Sequence, residues 1–276
     1  MTQPASHTDG LTLKHPLDER HFYHVPAAAA RLQERLNGDA GCATGDTIGI
    51  RDNIIEYLPG KPSGITPAQQ SNFLTATAQF YEDSWRKRSI GILSGEDFSF
   101  EDERELLLQW AQPKAGELVL DLGCSTGFYA RSIKAHSPNA QVVAIDFSAP
   151  MLDETRNRAL AAGTDLYLLK ADVSRLPFYA QSADLLVCGG SLNEFRSPAA
   201  ALHQMRRVIK DDGRLFMMHL LRADTFAGSL AQKASGVGGI SFWSETESLK
   251  LFNDHGFRVE KSRKLGIVYF SLLRPE

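Results

Sequence analysis

The chain has 276 residues, 43% of them apolar, which excludes disorder as its main state and leaves room for one large domain or two modest ones. Its 30 Lys and Arg against 33 Asp and Glu leave a net charge of −3, so no basic field draws in a phosphate backbone and nucleic acid is not an expected partner. Three scattered cysteines, Cys42, Cys124 and Cys188, form no C-x-x-C pair, which points away from a metal centre or a disulfide framework and toward a reducing, cytoplasmic compartment.

Residues 1–10 show no basic stretch leading into an apolar core, and no apolar run approaches the roughly 18 residues of a membrane helix, so a soluble protein without a membrane span is expected. Up to residue 100 the pattern is irregular. Helices are expected at Pro26–Leu36 and Pro67–Arg88, separated by the Gly- and Pro-rich stretch Asn37–Thr66. This reads as an amino-terminal helical arm or cap, residues 1–100, ahead of a second unit, residues 101–276.

From residue 101 short apolar runs alternate with amphipathic helical stretches. The runs are Glu117–Leu122, Gln141–Asp146, Asp165–Lys170, Ala183–Cys188 and Arg214–Leu220. Unbroken Val/Ile/Leu runs suit strands buried on both faces, and intervening helices imply parallel crossovers. The expected fold class is therefore α/β, a doubly wound sheet. Ser148 and Ser197 are expected helix caps, with Pro198 at a tolerated first position and Gly213 ending the second helix. Ser244 and Glu247 form a capping box for a further helix that Gly256 closes. Phe257–Leu265 and Ile267–Leu273 are separated only by Gly266, too little for a crossover, so they should pair as an antiparallel hairpin.

The most informative stretch is Leu118-Val-Leu-Asp121-Leu-Gly123-Cys124-Ser125-Thr-Gly127, a buried strand entering a glycine turn and then a helix. Such a turn brings backbone N–H groups close to a polar ligand. A dinucleotide site would read G-x-G-x-x-G with phosphates on the helix end. Here an acid stands at the strand end instead, and a carboxylate suits a ligand's ammonium group better than its phosphates, which favours a zwitterionic amino-acid moiety.

In these residues the chain resembles the class I S-adenosylmethionine-dependent methyltransferases, with Ser125 at the place of the first motif's middle glycine. The stretch Val142–Leu152 resembles the family's second motif. The resemblance implies that Asp146, 25 residues past Asp121, accepts from the ribose hydroxyls, while Phe147 and Met151 line the adenine slot. It likewise gives Asp172 the adenine amino group and Val173 the ring. Ala183–Phe195 is similar to the fourth strand and the loop that faces cofactor and acceptor, which places Gly189 at the cofactor and Ser191, Asn193 and Glu194 on the acceptor side. Cys124 belongs to the turn and is expected as a small packing residue. Together these motifs imply a Rossmann-like methyltransferase sheet of seven strands with a carboxy-terminal hairpin, closest in pattern to the quinone-methyltransferase-like type 11 group.

The resemblance implies S-adenosyl-L-methionine as cofactor, S-adenosyl-L-homocysteine as product, and methyl transfer by SN2 displacement to a small apolar or aromatic acceptor at oxygen or carbon. His219, near the end of the fifth strand, is either a general base or a core histidine. Tyr81, Trp85 and Arg86 lie at helical spacing, which suits core packing equally with a cap that brings Tyr81 or Arg86 to the cofactor's carboxylate. The segment Arg222–Trp243, with Phe226, Gly236 and Phe242, is an expected lid, for which aromatic side chains suggest an apolar acceptor. The alternatives are a binding or partner protein of the same fold without methyl transfer, a cofactor-retaining isomerase or cyclase, and a nucleotide-dependent oxidoreductase.

Overall fold

The computed structural model describes residues 10–16, 20–58, 65–80, 82, 87–224, 232–233 and 238–276. Five short strands open the chain: β1 (Gly10–Lys14), β2 (Phe22–Pro26), β3 (Gly38–Gly41), β4 (Thr47–Arg51) and β5 (Ile54–Ile55). Helices follow at α1 (Pro67–Gln70), α2 (Thr75–Phe80), α3 (Lys87–Ser94) and α4 (Phe100–Ala111). Thereafter come β6 (Leu118–Leu122), α5 (Phe128–His136), β7 (Gln141–Asp146), α6 (Ala149–Ala161), β8 (Tyr167–Lys170) and β9 (Ala183–Gly189). The chain ends with α7 (Pro198–Val208), β10 (Ile209–Leu220), α8 (Glu245–Asn253), β11 (Phe257–Leu265) and β12 (Val268–Pro275).

The large sheet runs β11-β12-β10-β9-β6-β7-β8-β5-β4-β3. Its seven strands β6–β12 are the expected α/β sheet, with β6 to β10 parallel and β11 and β12 forming the expected antiparallel hairpin. Strand order reverses between β6 and β9, and ligands of open α/β sheets bind at the carboxyl ends of such a switch point.

The caps at Ser148, Ser197 and Ser244 form as expected, each hydroxyl accepting a backbone N–H of the first turn. Gly213 does not end a helix. It lies inside β10, where pairing with β9 shifts register, and a Cβ there would come 2.6 Å from the Ile209 side chain and 2.9 Å from the Lys210 carbonyl. Close approach at a bulge, and not helix termination, is what requires glycine.

Residues 10–55 are strands, not a helical arm. The expected Pro26–Leu36 helix is replaced by the end of β2, a single 3-10 turn at Ala27–Ala30, and irregular chain. The cause is Asn53, buried and left-handed at φ 68°. Its amide donates to the carbonyls of Ala29, Arg31 and Glu34, and its carbonyl accepts from Leu36 N, which takes the backbone groups a helix would have paired internally. The stretch Asn37–Thr66 supplies β3, β4 and β5, and β5 pairs in parallel with β8, so the sheet runs across the expected boundary near residue 100 and has ten strands. Pro67–Arg88 is helical but broken into α1, a 3-10 turn at Ser71–Phe73, α2 and the start of α3.

One face of the sheet packs against Leu106 and Leu107 of α4, Ala130 and Ile133 of α5, and Leu152 and Ala159 of α6. The other packs against Leu202 and Met205 of α7 and Phe252 of α8. Between β8 and β9 there is only a 3-10 turn, Val173–Arg175, where a crossover helix was expected. The β1–β2 hairpin fills that side, with Leu11, Leu13, Tyr23 and Val25 in the same cluster as Leu176 and Phe178, and Lys14 N donating to Pro177 O at 2.8 Å.

Candidate active site

A cleft of about 410 Å³ opens at the carboxyl end of the switch point, lined by Gly123, Asp146, Phe147, Asp172, Val173 and Phe195 among others. It shares Gly123, Asp146 and Phe147 with a lobe that holds Ser125, Met151, Ser191 and Glu194. A third lobe, adjoining through Gly123 and Ser125, contains Asp121, Cys124, Thr126, Tyr129 and Gly189. Strand ends and one turn thus gather the expected cofactor-binding residues of 121–189, all but Gly127, around these adjoining lobes.

Asp121 ends β6, and its carboxylate accepts from Ala130 N of α5 at 3.0 Å. Gly123 takes φ 67°, and a Cβ there would lie 2.7 Å from Ser191 Oγ, whose hydroxyl donates to Gly123 O at 2.7 Å. Any side chain would wedge the β6 turn away from the β9 loop. Ser125 also takes a left-handed φ of 52°, a conformation costly for a non-glycine residue. Thr155 holds it there by donating to its carbonyl at 2.8 Å, and its own N–H donates to Asp146 at 2.9 Å. Its hydroxyl lies 3.5 Å from Met151 Sδ. Cys124 is buried beneath the turn, and burial pushes its thiol well above the usual range, so it packs and does not act as a nucleophile.

Asp146 ends β7 and accepts from Ser125 N and Ser148 N, one on each oxygen. Burial raises its pKa to about 6 despite these bonds, with the nearby Glu194 charge adding to the rise. The backbone of Phe147 also favours the ionised form of Asp146. Asp172 caps the 3-10 turn by accepting from Ser174 N and Oγ at 2.8 and 2.7 Å, which orients it toward the cleft beside Val173.

Glu194 lies across the second lobe from Met151 and Ser125. Burial raises its pKa, opposed by a hydrogen bond from Asn72, which sits 3.4 Å from Glu194 Oε2. Gln69 donates to Glu194 O at 3.0 Å, Ser148 Oγ donates to Asn72 O, and Phe73 packs on Phe147 with ring centroids 5.4 Å apart. Gln69, Asn72 and Phe73 were missed in sequence. They sit in short, polar, non-periodic helical pieces, and no local signal marks them as the roof of a cleft built 50 to 120 residues later.

Two expected acceptor-side residues are not brought to the cavity. Asn193 is a buried pin, donating to Leu220 O and Ser241 O and accepting from Leu220 N, so its whole amide is spent on joining the β9 loop, β10 and the 238–243 segment. His219 is fully buried among Trp243, Phe252 and Tyr269, with Nε2 2.9 Å from Ser248 Oγ, and burial lowers its pKa to about 3. It is the core histidine and not the general base. Trp243 packs on the core beside it, bridging to Leu221, and does not roof the cleft. Tyr81, Trp85, Arg86, Phe226 and Gly236 lie outside the described residues.

Residues 119–213 match the family model described as a methyltransferase domain. The chain is 34% identical over 134 residues to a demethylmenaquinone methyltransferase of Thermus thermophilus, covering 49% of this chain and 53% of that protein. Over these residues the chain is similar to methyltransferase domains. It is also 29% identical over 196 residues to an uncharacterised chloroplastic methyltransferase of Arabidopsis thaliana, covering 68% of this chain and 54% of the relative. The chain thus spans about half the length of these curated relatives. A SAM-dependent methyltransferase of Aquifex aeolicus shares the fold at a TM-score of 0.56 and 20% identity, over 73% of this chain and 98% of that one. Two buried carboxylates, Asp121 and Asp146, stand with the Gly123 turn around the cleft and its lobes. Among the described residues no helix is long and apolar enough to cross a membrane, and no cluster of His, Cys, Asp and Glu would hold a metal ion.

Proposed function

We propose that the protein transfers a methyl group from S-adenosylmethionine to the oxygen or carbon of a small apolar or aromatic acceptor, with Glu194 meeting the acceptor's proton. The observation that carries this reading is the placement of Glu194 in the lobe that also holds Ser125 and Met151, adjoining the lobe of Asp121. Bound S-adenosylmethionine would supply an electrophilic methyl, open to in-line attack by the acceptor with S-adenosylhomocysteine as the leaving group. The protein's part is therefore to hold two reactants and exclude water.

Asp121 would take the ammonium group and Asp146 the ribose hydroxyls, with Phe147 and Val173 against the adenine ring and Asp172 at its amino group. Phe73 over Phe147 keeps water from that end. A phenolic or quinol hydroxyl has to lose its proton to attack well, and a carboxylate whose pKa is raised by burial is a better base than an exposed one. Asn72 and Gln69 would hold Glu194 toward the acceptor. The names of the demethylmenaquinone methyltransferase relatives support a ring-bearing acceptor.

The test is a methyl-transfer assay with S-adenosylmethionine against quinols and phenols, run alongside calorimetric titrations with S-adenosylhomocysteine and NAD(H). Glu194→Gln should cut kcat on a hydroxylated acceptor by about 100-fold, the low end of general-base contributions, and leave S-adenosylhomocysteine affinity unchanged. An unaltered kcat would remove Glu194 from the chemistry, and NAD(H) binding in place of the sulfonium pair would overturn the reading.

A further inference from the structure

Glu82 is a buried carboxylate, 4% exposed, that none of the steps above uses. It arrives from the amino-terminal side, just beyond α2, and collects donors from three parts of the cofactor-binding unit. Thr126 Oγ1 donates to Glu82 Oε2 at 2.7 Å, from within the glycine turn. Arg131 Nη2 of α5 donates to both carboxylate oxygens, at 2.9 and 2.7 Å. Arg158 Nη1 of α6 lies 3.4 Å from Glu82 Oε1, and its Nε is 2.8 Å from Glu154 Oε1.

Thr126 stands between Ser125 at φ 52° and Gly127 at φ 77°, so it is the middle of a turn that is left-handed on both sides. It also lines the lobe that contains Asp121 and Gly189. The turn is held on one side by Thr155, which donates to Ser125 O, and through Thr126 by Glu82. With Ser125 in the costly conformation, the turn depends on such outside bonds more than a glycine turn would. Loss of Glu82 would also leave the Arg131 and Arg158 guanidiniums facing one another behind the turn without their shared counter-charge.

We propose that Glu82 is a positioning residue that braces the glycine turn through the Thr126 hydroxyl, and so sets the affinity for the methionine end of the cofactor. This rests on the cofactor reading above.

The experiment uses the full chain, with S-adenosylhomocysteine as probe, and combines calorimetry with thermal unfolding. Thr126→Val keeps the shape and removes only the hydroxyl. It should raise Kd about tenfold with Tm nearly unchanged. Glu82→Met should raise Kd similarly and lower Tm. The double variant should lose no more affinity than the larger single loss, because both act through one bond. Wild-type affinity in Thr126→Val, or additive losses in the double variant, would overturn the proposal even if Glu82→Met fails to fold. Absence of probe binding by the wild type would instead overturn the cofactor reading, and this proposal with it.

Discussion

The parallel strands and the amino-terminal strands were built by different rules. From β6 to β9 each strand is built on an apolar run read from the sequence, with bounds within a few residues, while β10 carries its run in its second half and begins earlier, at Ile209. From β1 to β5 the strands are two to five residues long, and their order depends on partners far away, as with β5 against β8. In the first region local pattern and global fold agree. In the second, one buried amide at Asn53 outweighs the helix propensity of an Ala-rich stretch. Four alanines favour a helix by a few tenths of a kcal/mol each over ordinary residues, roughly 1 to 2 kcal/mol together. The side chain of Asn53 makes three donor contacts and one acceptor contact to that segment, and Ala29 and Leu32 are buried in separate clusters on the two faces. A continuous helix does not serve both.

This contrast is open to test from either side. The largest effect is expected in the parallel region: Asp146→Ala should weaken S-adenosylhomocysteine binding by about 1.5–3 kcal/mol, the range for charge-assisted hydrogen bonds, read by calorimetry. In the amino-terminal region, Asn53→Ala should cost about 1–3 kcal/mol of stability by leaving buried carbonyls without donors, measured by urea unfolding. Cofactor affinity should barely change, and equal loss of both would show that the two regions do not differ as described.

A pH titration of binding sharpens the assignment of Asp146. Its pKa is raised to about 6, so it is protonated more readily in the folded chain than in the unfolded one. Ribose hydroxyls need the ionised form, so affinity should rise with pH through about 6 and level off above it. One unit below, the loss should be about tenfold. Asp146→Asn should flatten the profile. The same shift costs stability as pH rises from the unfolded value toward 6 and leaves the cost in place above it. The smallest effect belongs to Ser125→Gly: relief of the left-handed serine should stabilise the fold by about 1 kcal/mol, seen as a raised Tm. Tighter cofactor binding in that variant would mean that the serine weakens the site, and weaker binding would mean that its hydroxyl contributes.

The candidate site was legible in proportion to how local its parts are. Asp121 and Asp146 lie at the carboxyl ends of buried strands, Gly123 directly follows one and Asp172 comes just beyond another, so the strand pattern carried them to one end of the sheet. His219 and Asn193 also follow or end strands, yet they turned away from the cavity. The side-chain direction at a strand end is set by which face the neighbours fill, and for His219 the neighbours are α8 and β12. Asn72 and Gln69 reach Glu194 from more than 120 residues away, a separation that no motif spans.

Sequence alone determined the parallel α/β sheet, the antiparallel closing hairpin, the serine caps and the acids and glycines around the cofactor turn. Each of these is dictated by periodicity, capping chemistry or backbone freedom within a few residues. Only the tertiary structure decided that residues 10–55 pair as strands, that the β1–β2 hairpin stands where a crossover helix was expected, that Glu194 and not His219 faces the cavity, and that Glu82 reaches the glycine turn. Those outcomes follow from which distant backbone and side-chain polar groups find partners once buried, and hydrogen-bond satisfaction in the interior outweighs the small differences in local propensity.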